Sequence, residues 1–154
     1  AYWNNGTGQS LTTFRTAWKV PPAPASDSGQ TIFLFNGIQN YGTNYGILQP
    51  VLQWGPSAAG GGSYWSIASW YVTSGGDAFH TTLVKVNEGE SLVGIMTLTG
   101  QSAGKFSYKS EFQGIAGTTL TIQNIAVSGT TVSESPCATN STWTNVNGAP
   151  TNCN

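Results

Sequence analysis

Apolar and polar residues alternate along this chain in short runs. Nowhere do apolar positions recur at three and four residues over several turns, so strands are expected and helices are not. The runs are Thr13 to Val20, Thr31 to Gln39, Gly46 to Trp54, Ser63 to Val72, Phe79 to Val86, Ser91 to Thr99, Lys105 to Gln113 and Thr118 to Val127, with a weaker one from Gly129 to Ser133. Turn-forming residues separate them: Gly42-Thr43-Asn44, Gly55-Pro56, Gly75-Gly76, Asn87-Glu88-Gly89, Gly100 and Gly117. Pro21, Pro22 and Pro24 close the first run. Such spacing is that of a sandwich, and parallel pairing would need helical crossovers. The expected fold is all-β, an antiparallel two-sheet β-sandwich over residues 1–136. A Thr/Asn-rich tail, residues 137–154, follows it.

The run from Ser63 to Val72 stands apart because it is aromatic at both parities and carries no charge. On a strand, Tyr64, Ala68 and Trp70 point one way, while Trp65, Ile67 and Tyr71 point the other. One face must cover a core. The other is either covered too or presents large rings to a ligand.

Composition narrows the partners. Only 7% of the residues are charged, net charge is −1, and six Trp, six Tyr and six Phe sit among Gly, Ser, Thr and Asn. Five scattered basic residues make no patch for nucleic acid or for an anionic membrane surface, and no apolar run reaches membrane-spanning length. Cys137 and Cys153 are either two free thiols or a disulfide. The disulfide would close a loop of about 15 residues, worth roughly 3 kcal/mol in the chain-entropy model. Two glycosylation sequons, Asn5-Gly6-Thr7 and Asn140-Ser141-Thr142, favour an extracellular, disulfide-bonded chain. Ala1 is then expected to begin the mature protein.

Candidate chemistry is sparse. His80 is the only histidine and has no second ligand near it in sequence, so it reads as an ordinary strand residue and no metal or cofactor is expected. Of six carboxylates, Asp27, Asp77, Glu88 and Glu90 fall in turns, Glu111 is placed to pair with Lys109, and Glu134 precedes Pro136. Amides are better placed. Gln49 and Gln53 lie four apart in one run and share a face, and Gln39 ends another run. A buried amide must be paired, whereas an open one can orient ligand hydroxyls or stabilise an oxyanion.

The order of short motifs from Trp3 to about Gly114 resembles the glutamic peptidase (eqolisin) family, acid peptidases of a concanavalin-like sandwich found mostly in fungi. The matching segments are Trp18-Lys19-Val20-Pro21, Gly37-Ile38-Gln39, Ile47-Leu48-Gln49, Ser63-Tyr64 through Trp70-Tyr71, and Glu88-Gly89-Glu90. The resemblance implies a concanavalin A-like or jelly-roll sandwich in a divergent fungal member. It carries the family's catalytic glutamine over to Gln49. The partner glutamate belongs on a late strand that reads Thr130-Thr131-Val132-Ser133-Glu134 here, where the ungapped position is Ser133. Glu134 is one residue off and needs a bulge to face Gln49. Three of the family's other acids have become Gln39, Trp65 and Ser69.

The function expected is therefore a secreted carbohydrate-binding, lectin-like protein that takes a glycan or extended polar ligand on a concave face, with Trp65 and Tyr71 stacking and Gln39 and Gln49 hydrogen-bonding. The alternative is an acid endopeptidase with a Gln49/Glu134 dyad. A further one is a non-catalytic structural or defence glycoprotein.

Overall fold

The structure, a computed structural model, describes residues 10–40, 45–126 and 144–145 of the chain. The described residues contain no helix. Among them eleven strands run in chain order: β1 Thr13–Lys19, β2 Ile32–Phe35, β3 Ile38–Gln39, β4 Gly46–Ser57, β5 Gly60–Thr73, β6 Ala78–His80, β7 Val84–Lys85, β8 Ser91–Ser102, β9 Lys105–Phe112, β10 Leu120–Ala126 and β11 Thr144–Asn145. They form a four-stranded sheet, β1-β8-β9-β10, and a seven-stranded sheet, β11-β6-β5-β4-β2, with β3 on β4 and β7 on β5. Every pairing is antiparallel. The expected all-β two-sheet architecture is the one observed.

Two expected strands are split, each for a local reason. β2 and β3 share one register against β4, in which Asn36 falls opposite Pro50 and Gly37 opposite Gln49. Pro50 has no N–H to give a ladder, and the strand breaks there. The run from Phe79 to Val86 divides around Thr81. The Thr81 N–H donates to the Ser69 carbonyl, and the Ser69 N–H donates to the Thr81 hydroxyl instead of a backbone oxygen. The weak run from Gly129 to Ser133 lies outside the described residues.

Two apolar clusters fill the space between the sheets. Leu48, Tyr71 and Phe79 of the larger sheet meet Met96, Phe106, Tyr108, Leu120 and Ile122 of the smaller. Leu52, Trp54, Trp65 and Ile67 meet Leu92 and Phe112. The Trp54 and Trp65 rings pack edge to face at 5.5 Å, the arrangement aromatic quadrupoles favour. Between the clusters the Ser110 hydroxyl donates to the Ser69 hydroxyl at 3.0 Å, a fully buried bond from one sheet to the other.

Candidate functional site

The register of β4 on β5 decides which side chains can share a surface. Leu48 stands opposite Tyr71, Gln49 opposite Trp70, and Trp54 opposite Trp65. Residues directly opposite in an antiparallel pair lie on one face. Leu48, Tyr71, Trp54 and Trp65 therefore face the smaller sheet, and Gln49 and Trp70 face away from it. The two-way division of the aromatic strand is as the sequence implies, but the assignment of Trp65 and Tyr71 to a ligand surface is wrong. Trp65 is 5% and Tyr71 1% exposed, both within the inter-sheet core. The Trp65 indole N–H is spent on the Pro22 carbonyl, 3.2 Å away. Neither ring can stack on a ligand.

The outer face of the larger sheet is a grid. One row across it runs Gly37, Gln49, Trp70, His80, and reaches the backbone of β11 at Thr144. The next row toward the β4–β5 turn holds Phe35, Val51 and Ala68, and the one beyond holds Phe33, Gln53, Ser66 and Lys85. On the other side lie Gln39, Ile47, Val72 and Ala78. Gln39 and Gln49 thus share this face, in neighbouring rows. No strand position of it carries a carboxylate among the described residues. Its one cation, Lys85, sits 4.9 Å over the Tyr64 ring.

The face is covered at one end and open at the other. Val51, Ala68 and Trp70 are buried, with Ala59 and Leu83 packed against them. Ala59 reaches them because the tip of the β4–β5 hairpin folds over this side. A register shift after Trp54 bends the hairpin, and Gly55 takes φ +85 where an added Cβ would lie 2.1 Å from the Gln30 carbonyl. The fold-over consumes Gln53. Its amide donates to the carbonyls of Gly55 and Gly60 and accepts from the Ser57 hydroxyl, all fully buried or partly so. At the other end, over β2, Phe33 and Phe35 remain 45% and 50% exposed.

The two glutamines of β4 therefore divide their roles. Gln53 is a buried structural clamp. Gln49 is half-buried and its amide makes no hydrogen bond among the described residues. Gly37 lets Gln49 and Ile47 lie close to β3, since a Cβ there would come within 2.8 Å of Ile47 Cγ2 and 3.7 Å of Gln49 Cβ. On the far side of Gln49, the Trp70 indole is wedged between Phe33, edge-on at 6.2 Å, and His80 at 4.7 Å. The indole N–H of Trp70 is buried with no partner, as is the Ser66 hydroxyl. His80 Nδ1 lies 3.0 Å from the Thr81 carbonyl. A carbonyl only accepts, so Nδ1 is the donor in this contact.

The sequence did not single out Phe33, Phe35, Trp70 or His80 for this face. Of the carboxylates, Glu111 pairs with Lys109 at 2.6 Å on the smaller sheet, as its spacing suggests. Hydrogen bonds from the Ser63 hydroxyl and the Gly29 N–H hold the exposed Asp27 carboxyl below its usual range. Glu134, the sequons at Asn5 and Asn140, and Cys137 and Cys153 lie outside the described residues. Compared with protein-family models, with curated proteins and with solved structures, the chain matches none.

Proposed function

We propose that this is a carbohydrate-binding, lectin-like protein whose neutral ligand lies across the open end of the outer face, over β2, β3 and β4. The observation that carries this reading is the half-exposure of Phe33 and Phe35 on the same face as Gln39 and Gln49. Two residues apart on a strand, the rings stand about 7 Å from each other along the chain. Exposed rings beside unpaired amides suit a ligand with flat apolar faces and many hydroxyls. A secreted glycoprotein with a Cys137–Cys153 disulfide fits the same reading. So does descent from a fungal glutamic-peptidase-like sandwich in which acids have become Gln39, Trp65 and Ser69.

A glycan array probed with the wild type and with Phe33→Ala/Phe35→Ala tests it. Binding by the wild type that falls tenfold or more in the double variant, equivalent to about 1.4 kcal/mol, with little salt dependence, is the expected result. A blank array, or undiminished binding by the variant, overturns it.

A second reading draws on Gln49 itself. An unpaired amide on an open sheet face can polarise a scissile carbonyl and hold a water, which supports an acid endopeptidase with Glu134 as its base. General-base assistance is worth typically 10²–10⁴-fold. Casein digestion at acid pH that Glu134→Gln and Gln49→Ala each abolish would establish it. If neither assay responds, the structural or defence glycoprotein is what remains.

A further inference from the structure

Trp70 has an indole N–H that no group among the described residues accepts. The residue is 94% buried, being 6% exposed, and its Nε1 has no hydrogen-bond partner. An indole N–H can only donate, and leaving it buried and unpaired is costly. Trp54 in the inter-sheet core shares this defect, but no ligand surface adjoins it. Trp70 stands directly opposite Gln49 on the outer face, with side chains that start about 5 Å apart. Gln49 can both donate and accept. Around the pair lie the apolar Val51, Ala68, Phe33 and Phe35, and the His80 ring packs on Trp70 at 4.7 Å.

We propose that Trp70 and Gln49 together read a secondary amide on the ligand, so that the glycan taken by this face is N-acetylated. The proposal rests on the glycan reading above and narrows it. An acetamido group offers an acceptor carbonyl for the indole N–H and an N–H for the Gln49 carbonyl. Its methyl can lie against Phe35, which is 50% exposed in the next row of this face. Phe33 lies edge-on against Trp70 and is 45% exposed, so it has open space to turn into as the group enters. A free sugar hydroxyl would satisfy the indole but bring no methyl to the exposed Phe35 ring. Among the described residues the strand positions of this face hold no carboxylate and one lysine, Lys85, which sits over the Tyr64 ring.

The test is a titration followed by 1H–15N spectra in the indole region. Trp70→Phe identifies the Trp70 signal. The probes are chitotetraose, cellotetraose (which has hydroxyls in place of the acetamido groups) and a blocked tetra-alanine peptide. The expected result is a saturable shift of the Trp70 indole signal with chitotetraose alone, and a tenfold or greater loss of chitotetraose affinity in Gln49→Leu. Gln49→Leu also carries the test if Trp70→Phe does not fold. Equal shifts with chitotetraose and cellotetraose would overturn the acetamido assignment while keeping the glycan reading. Glycan binding that leaves the Trp70 signal still would do the same. A response to the peptide alone would overturn both and favour the peptidase reading, and no response to any probe would overturn both as well.

Discussion

Gln49 and Trp70 stand directly opposite each other on neighbouring strands, on the side of the larger sheet turned away from the core. The aromatic partner of the candidate amide is therefore Trp70, and the rings open to a ligand are those of β2. Trp65, one face over, belongs to stability.

That division predicts opposite phenotypes for two aromatic truncations. Trp65→Ala empties a site that is 5% exposed and packed on Trp54. It should cost about 3–5 kcal/mol, as buried aromatic truncations do. Phe33→Ala removes a ring that is 45% exposed and should cost under about 1 kcal/mol while weakening ligand binding. Urea denaturation of the two variants checks the first half, and the glycan array the second.

The Ser69–Ser110 bond makes a non-additive pair. Ser110→Ala leaves the fully buried Ser69 hydroxyl without its 3.0 Å partner. The single change should destabilise by about 1–3 kcal/mol. Adding Ser69→Ala removes the stranded group, so the double variant should be less destabilised than the sum of the singles. A double-mutant cycle by chemical denaturation measures the coupling, and strict additivity would show that the bond contributes nothing.

Gly55 and Gly60 separate two costs of a left-handed glycine. Gly60 has φ +97 with nothing within 4 Å of an added Cβ, whereas at Gly55 the Cβ would meet the Gln30 carbonyl at 2.1 Å. Gly60→Ala should lose only the backbone preference, about 1–2 kcal/mol. Gly55→Ala should lose more, because backbone must also move. Similar midpoints for the two variants would mean that the hairpin tip yields easily.

Alkaline pH should unfold the protein partly through Tyr108. Burial raises its pKa above the usual tyrosine value, against a weaker opposing effect of a hydrogen bond with Ser10. Its hydroxyl donates to the Leu11 carbonyl at 2.7 Å. A pKa raised by folding means that the native state holds its proton where the unfolded chain has released one. The contribution is intact below the unfolded value of about 10 and is lost as pH rises through the folded value. Tyr108→Phe should lower stability at neutral pH by about 0.5–1.5 kcal/mol and flatten the decline above pH 10. Thermal melts across pH 7–11 report both.

The sheet architecture was legible because apolar alternation and glycine punctuation both act locally, and eight expected runs coincide with described strands. Assigning the aromatic faces to core or solvent was harder, because both faces of the Ser63–Val72 run are apolar. A usable signal was present in the turn. A two-residue connection at Ala58-Ala59 pairs odd positions of β4 with even positions of β5, and the later register shift preserves that parity. Gln49 is thereby tied to Trp70 rather than Tyr71. The exposure of Phe33 and Phe35 was not legible, since Ile32-Phe33-Leu34-Phe35 reads as a buried strand until its place on the far side of β4 is known.

That same uniformity makes Pro50 consequential. Sliding β2 by one residue would exchange Phe33 and Phe35 for Ile32 and Leu34, so hydrophobic patterning within the strand itself offers almost no resistance to a slip. The gap at Pro50 and the close fit of Gly37 against Ile47 supply the resistance instead. Restoring the missing N–H with Pro50→Ala would free β2 to sample a second alignment, in which the outer face shows aliphatic branches in place of its rings. A proline on the neighbouring strand thus holds the two exposed rings of β2 in phase.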